Sequence, residues 1–354
     1  MRVLLYCQPL TGLGHYARTL AIARELAKGH EVHLASGGRP FPGGRDAPGV
    51  HFVDLPVLWR EEGKVVGAPL DERRRLLADA VARIRPDVLV IEHFPFSKWE
   101  LAGEALAAID AAKGARIVCS HRDIALGSDA RACATLEERF DALLVHGDPL
   151  VTRLEDQLPW AREIPVPVTY TGYVCGRAPG TQAPARRILA SAGGGAEAGD
   201  LLPACIAAAK LLKDDRALVA FAGPFLSDDA FARLRSEADV RRFTPDLARE
   251  MAGSDLSVSR AGYNTCADIL LARARAVVVP SPKMSDQRLR ARRLAELGVV
   301  EAVAPEEATP ETLAKAMRRA LARPRPEHTV ALAGAKRTRE ILEALVSARR
   351  SPRA

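Results

Sequence analysis

Short apolar runs alternate with longer amphipathic segments along almost the whole chain, and after one Gly/Pro-rich interruption the alternation starts again. This pattern constrains the fold more than any other, because strand–helix alternation of this kind builds parallel sheets with helices on both faces. In the first half the strand candidates are Arg2–Cys7, Glu31–Ala35, Val50–Leu55, Asp87–Ile91, Arg116–Ser120 and Ala142–His146, with helical patterns over His15–Ala27, Glu72–Ile84 and Trp99–Ala112. Pro86 closes one of those helices just before a strand. The stretch TGYVCGRAPGTQAP then breaks the pattern and reads as a linker. Strands resume at Arg186–Ala192, Ala217–Phe221, Val240–Phe243, Leu256–Ser259 and Ala276–Val279, and Thr329–Ala348 reads as a long terminal helix before a frayed tail. The expected division is an N-terminal Rossmann-like domain over 1–172, a linker over 173–184, a second domain over 185–328 and a helix with tail over 329–354.

The length of 354 residues suits two domains, and 48% apolar residues can fill two cores. No run of about 18 apolar residues occurs, so no transmembrane helix is expected. The chain enters a strand pattern at Arg2, leaving no room for a signal peptide. Six scattered cysteines without a CxxC pair read as free thiols in a reducing cytoplasm. The net charge of +7 is uneven, −1 over residues 1–178 and +8 over 179–354. With 5% aromatics and no recognition motif, this basic half does not indicate nucleic acid; an anionic small ligand or an anionic membrane surface suits it equally.

Parallel sheets bind ligands outside the carboxyl ends of their strands, and the unusual residues fall in those loops. QPLTGLGHYAR follows the first strand. Gly12 and Gly14 permit a tight turn and a close ligand, and His15 stands at a helix start, placed for general base work or, more plainly, for capping. It is not the dinucleotide fingerprint, which needs glycine where Ala17 stands. EHFPFSKWEL and SHRDI bring Glu92, His93, Arg122 and Asp123 to the same sheet edge. In the second half, Gly193, Gly194 and Gly195 make a backbone anion cradle that lacks the lysine of a P-loop. Arg260 and Gly262 form a turn, Asn264 and Thr265 open a helix, and Asp268 follows one turn later, where a carboxylate can hold vicinal hydroxyls. Asp286 and Gln287 open another helix, and Gln287 can donate to and accept from sugar hydroxyls. Most of the arginines in Arg288–Arg293 read as a solvated face. The loops Gly37–Pro48 and Trp59–Pro69 are expected to shape a second ligand's site without naming that ligand.

Taken together, SAGGG, FTPDLAREMAGSDLSVSRAG, NTCADIL and SDQ…LAELG resemble the C-terminal domain of glycosyltransferase family 28, the enzymes related to the N-acetylglucosaminyltransferase that forms lipid II. The likeness runs from Arg186 to about Val303. Over the whole chain GLGHYAR, VLVIEHFPFSKWEL and SHRDI resemble a group of predicted bacterial glycosyltransferases. The resemblance implies a GT-B fold, two Rossmann-like α/β domains facing a central cleft. It implies that Phe243 packs on a uracil, that the Thr244 backbone meets the base edge, and that Gln287 contacts the transferred sugar. Asp268 stands where the family has a ribose-binding glutamate, one methylene longer. His15 matches the first-loop histidine, the preferred base.

The resulting expectation is an inverting, metal-independent glycosyltransferase with no cofactor beyond its nucleotide-sugar donor, UDP-linked by resemblance. His15 would act as base with Glu92 or Asp123 assisting, and oriented N–H groups would take the place of a metal. No DxD stands in a strand-end loop. The acceptor, a sugar or a lipid-linked molecule, is not legible. GxGHxxR also resembles the first loop of a nucleotide-sugar hydrolase of pseudaminic acid biosynthesis, so hydrolysis is one alternative and non-catalytic nucleotide-sugar binding another. A cytoplasmic protein is expected, with membrane-surface association not favoured.

Overall fold

A computed structural model describes residues 1–41, 43–125, 131–180, 185–193 and 201–348. The first half runs β1 (Arg2–Tyr6), α1 (Gly14–Leu26), β2 (Glu31–Ser36), β3 (Val50–Asp54), β4 (Leu58–Glu61), β5 (Lys64–Gly67), α2 (Leu70–Ile84), β6 (Val88–Glu92), α3 (Ala102–Ala111), β7 (Arg116–Arg122), α4 (Arg131–Arg139), β8 (Ala142–His146) and β9 (Val168–Tyr170). The second half runs β10 (Ala185–Ser191), α5 (Leu201–Leu212), β11 (Ala217–Phe221), α6 (Asp228–Arg235), β12 (Asp239–Arg241), α7 (Leu247–Ala252), β13 (Ser254–Ser259), α8 (Tyr263–Ala272), β14 (Ala276–Val278), α9 (Ser285–Glu296), β15 (Glu301–Ala302), α10 (Pro310–Ala322) and α11 (Gly334–Ser347).

Two parallel sheets result. The first has the order β3-β2-β1-β6-β7-β8-β9 and the second β12-β11-β10-β13-β14-β15. The central strands are buried throughout or nearly so, for instance Val88–Glu92 and Ala142–His146. That burial is why they read as continuous apolar runs rather than alternating ones. Cores lie on both faces of each sheet: Leu4, Leu89, Ile91 and Leu143 pack on one face of the first, Val3, Leu5, Val88 and Val90 on the other.

Strand order fixes where ligands can bind. Each sheet reverses direction once, the first between β1 and β6 and the second between β10 and β13. A crevice opens where the connections part to opposite faces, at the carboxyl ends of those two strands. In the first sheet this brings the His15 loop beside Glu92; in the second it brings Gly193 beside Arg260 and Gly262.

Three differences from the sequence reading have physical reasons. The stretch Trp59–Pro69 contains most of an antiparallel hairpin, β4 with β5, whose turn residues Glu62 and Gly63 both have positive φ. Asn-Gly is the usual signal for such a turn, and a glutamate in the left-handed position conceals it. β9 is short and follows Pro165 and Pro167, residues that argue against a strand except at an edge, which is where it lies. The terminal helix begins at Gly334, not Thr329, because the segment before it pairs with the outgoing crossing: Tyr173 N donates to Ala331 O (2.8 Å) and Gly334 N to Tyr173 O (3.0 Å). From there α11 packs on α1 of the first half, burying Leu342.

Among the described residues, no helix is long and apolar enough to cross a membrane.

Candidate active site

The two crevices face each other across a cleft of about 590 Å³. Gly12, Gly14 and His15 line one wall. Gly193, Phe243, Thr244, Arg260, Gly262, Asn264, Thr265, Asp268, Asp286 and Gln287 line the other. Of the residues singled out in the sequence, Glu92 and Asp123 stand behind these walls, and Gly194 and Gly195 lie outside the described residues.

The first loop is held from beneath. The buried Gln8 side chain donates to Pro9 O, Gly37 O and Leu58 O and accepts from Gly37 N. Arg73, fully buried, donates to Gln8 Oε1 (2.7 Å) and pairs with Glu104 (2.6 Å), which also accepts from Tyr6 Oη. This network of satisfied polar groups ties the loop to the hairpin wall.

His15 is the second residue of α1, and its Nδ1 lies 2.6 Å from Glu92 Oε1 at the end of β6. Glu92 is buried and also accepts from Arg18 Nη2 and from Lys98 Nζ (2.6 Å). Burial pushes the Glu92 carboxyl up, but His15, Lys98 and His93 outweigh it and hold its pKa well below the ordinary value. An anionic Glu92 takes the Nδ1 proton of His15 as a hydrogen bond and leaves Nε2 as the basic nitrogen. Burial, opposed by Glu92, brings the His15 pKa down to about 4, so the ring is neutral at pH 7. Its side chain keeps 23% exposure towards the cleft.

His15, Glu92 and His93 could bring three donor atoms together around an ion. A cation there would have to displace Arg18 and Lys98, both already on the Glu92 carboxylate, so the arrangement does not suit a metal.

Asp123 has a different place from the one expected for it. It is fully buried, accepting two 2.7 Å bonds from Arg290 of α9 and one of 2.9 Å from Tyr173. Burial raises its carboxyl, and Arg290 more than offsets this, leaving the pKa below the ordinary value. Arg290 and Arg122 both reach Asp286 Oδ2, at 3.1 Å each. These four residues form an ionic network between the halves, and Asp123 acts in it rather than beside His15.

In the second half β12 ends at Arg241, leaving Phe243 and Thr244 in the loop that follows, where Phe243 meets Phe41 edge to face at 6.2 Å. Gly262 caps α8 with extended backbone. Asn264 Nδ2 donates 3.0 Å across the cleft to Gly14 O, so this side chain fastens one wall to the other. Asp268, half-buried one turn further on, has its pKa raised to about 7, first by burial and then by Asp246. Gln287 accepts from Ser281 N (2.9 Å) in the turn before α9.

Sequence reasoning missed Arg18, Lys98, Tyr263 and Arg290. Arg18 had a signal, since three residues after His15 it shares a face of α1. Arg290 had none that separated it from its exposed neighbours.

Residues 192–345 match the model of the glycosyltransferase family 28 C-terminal domain. Over that stretch the second half of the chain is similar to a family 28 domain. Curated relatives support it. The chain is similar to the UDP-N-acetylglucosamine–N-acetylmuramyl-(pentapeptide) pyrophosphoryl-undecaprenol N-acetylglucosamine transferase of Anaeromyxobacter sp. (strain Fw109-5), 34% identical over 102 residues, 28% of this chain and 27% of that protein. The Bordetella petrii protein of the same name is 38% identical over 114 residues, 32% of this chain and 30% of its own length. The matched stretch thus spans less than a third of these relatives. Among solved structures, Acinetobacter baumannii MurG is similar over 97% of this chain and 99% of its own, with a TM-score of 0.61 at 16% identity. The calicheamicin glycosyltransferase CalG4 is similar over 98% and 94%, TM-score 0.61 at 18% identity. At such identities the likeness shows the fold alone, and that fold is GT-B.

Proposed function

We propose that the protein is an inverting glycosyltransferase that moves a sugar from a nucleoside diphosphate donor, UDP-linked, to an acceptor hydroxyl without a metal ion. The observation that carries the reading is the His15–Glu92 pair at the first sheet's switch point, facing the family 28 residues at the second. The His15 Nε2 would accept the acceptor's proton as its oxygen attacks the anomeric carbon from the face opposite the leaving group. The bond to the donor phosphate breaks, and the nucleoside diphosphate departs with the electron pair. Glu92 orients the ring and stabilises the imidazolium as it forms. Backbone N–H groups at the start of α8 and after β10 favour the charge on the departing diphosphate.

Phe243 and Thr244 fit a base, Asp268 a ribose, Gln287 a sugar; the names of the curated relatives include a UDP-sugar. A lipid-linked acceptor, as in those names, is one candidate class, and the cytoplasmic face of a membrane would then be the place of work.

The test is UDP release from a panel of UDP-sugars, with and without sugar and lipid-linked acceptors. His15→Ala should lower turnover by about 10²–10⁴-fold while calorimetry finds UDP binding retained. Wild-type activity should hold from pH 8 down to mildly acidic pH and fall as the ring protonates. Equal rates of sugar release without any acceptor would make the protein a hydrolase. UDP binding without turnover on any substrate would make it a binding protein.

A further inference from the structure

The residue that joins the base to the other half of the molecule is Arg18. Its side chain is buried, with Nη2 on Glu92 Oε1, the oxygen that His15 also approaches. Its guanidinium carbon lies 5.0 Å from the centre of the Tyr263 ring. Tyr263 opens α8, the helix that carries Asn264 and Asp268, and its hydroxyl accepts from Val174 N (2.9 Å) in the crossing segment. One cation therefore touches the carboxylate that orients the base and an aromatic face of the opposite domain. Cation–π contact is strong when desolvated, and a guanidinium stacks well.

We infer that Arg18 is a positioning residue through which docking of the second half on the first sets the working state of the His15–Glu92 pair. The inference rests on the reading of His15 as base.

With the halves docked, Tyr263 and Glu92 hold Arg18 between them, and Arg18 and Lys98 share the carboxylate's charge with His15. The groups facing His15 are Glu92 at the end of β6, His93 and Lys98 from the segment after it and Arg18 from α1, with the His121 ring of β7 tilted against His93. When the halves part, Arg18 loses the ring beneath it, its hold on Glu92 loosens, and more of the carboxylate's field falls on His15. The imidazole then holds a proton more tightly while staying neutral at pH 7, so docking sets how basic Nε2 is.

The experiment is an NMR titration of the His15 ring in the full chain, its signal assigned by loss in His15→Gln. It needs neither acceptor nor turnover, so it fails independently of the transferase reading, which UDP release tests. Arg18→Ala should raise the His15 acid dissociation midpoint by about one pH unit, a tenfold change in its constant. Tyr263→Leu, on the other domain, should move it the same way by less, and Tyr263→Phe, which keeps the ring, should restore the wild-type value. The double variant Arg18→Ala/Tyr263→Leu should titrate like Arg18→Ala alone. A His15 midpoint unmoved by Tyr263→Leu, or shifts that simply add in the double variant, would overturn the coupling.

Discussion

Asp268 has a carboxyl that its surroundings push up to about 7. In the folded chain it therefore holds its proton above the ordinary range near ~4. Between those two values the folded state binds more protons than the unfolded state, so stability falls as pH rises through that window and levels off above it. Asp268→Asn should remove this: the ligand-free variant melts higher than wild type at pH 8 and alike near pH 4, as scanning fluorimetry would read. UDP affinity at pH 8 should drop in the same variant if the carboxylate grips a ribose; unchanged binding would remove Asp268 from the donor site. At this scale the sequence was a good guide wherever a loop followed a strand, and His15, Phe243, Asp268 and Gln287 do line the cleft. It was a poor guide to what each charged side chain pairs with. Asp123 and Glu92 look alike as acids at strand ends, yet one faces Arg290 and the other His15, a difference decided by domain docking that no local pattern records.

At the scale of elements, α9 carries both kinds of arginine. Arg290 is buried on Asp123 and Asp286, whereas Arg288 meets Glu306 at the surface. Removing one partner of a buried pair strands the other, so Arg290→Ala should cost about 3–5 kcal/mol. Arg288→Ala should cost no more than about 1 kcal/mol. Denaturant unfolding followed by fluorescence distinguishes them, and equal losses would mean that the network contributes nothing to docking. The central strands of both sheets were legible to within a few residues because burial on both faces makes them apolar throughout, whereas the short edge strands β9 and β15 were not foreseen. The hairpin β4–β5 was not, because its exposed residues Lys64 and Glu61 and its Glu62-Gly63 turn carry neither an apolar run nor a familiar turn pair. Strand order was also out of reach, since it depends on long-range pairing, and it is this order that brings His15 and Glu92 together.

For the molecule as a whole, two crossings join the halves, one after β9 and one before α11, and they touch. Gly172 has φ +82°, and a Cβ there would stand 2.8 Å from Ala331 O. Gly114 has a similar φ of +84° but open space around it. Gly172→Ala should therefore lower the melting temperature more than Gly114→Ala, which bears only the dihedral strain of about 1–2 kcal/mol. Equal shifts would show that the crossings can separate freely. That the chain has two similar halves was plain from its repeated alternation; that its end returns to the first half was not, because an amphipathic helix does not announce which surface it covers. The return has a consequence for synthesis. Domains tend to fold in order as the chain leaves the ribosome, yet the face of α1 that α11 covers stays bare until the residues of α11 have emerged. The first domain to be made is thus the last to be completed, and a nascent chain stalled within the second domain would expose an apolar strip that chaperones could bind.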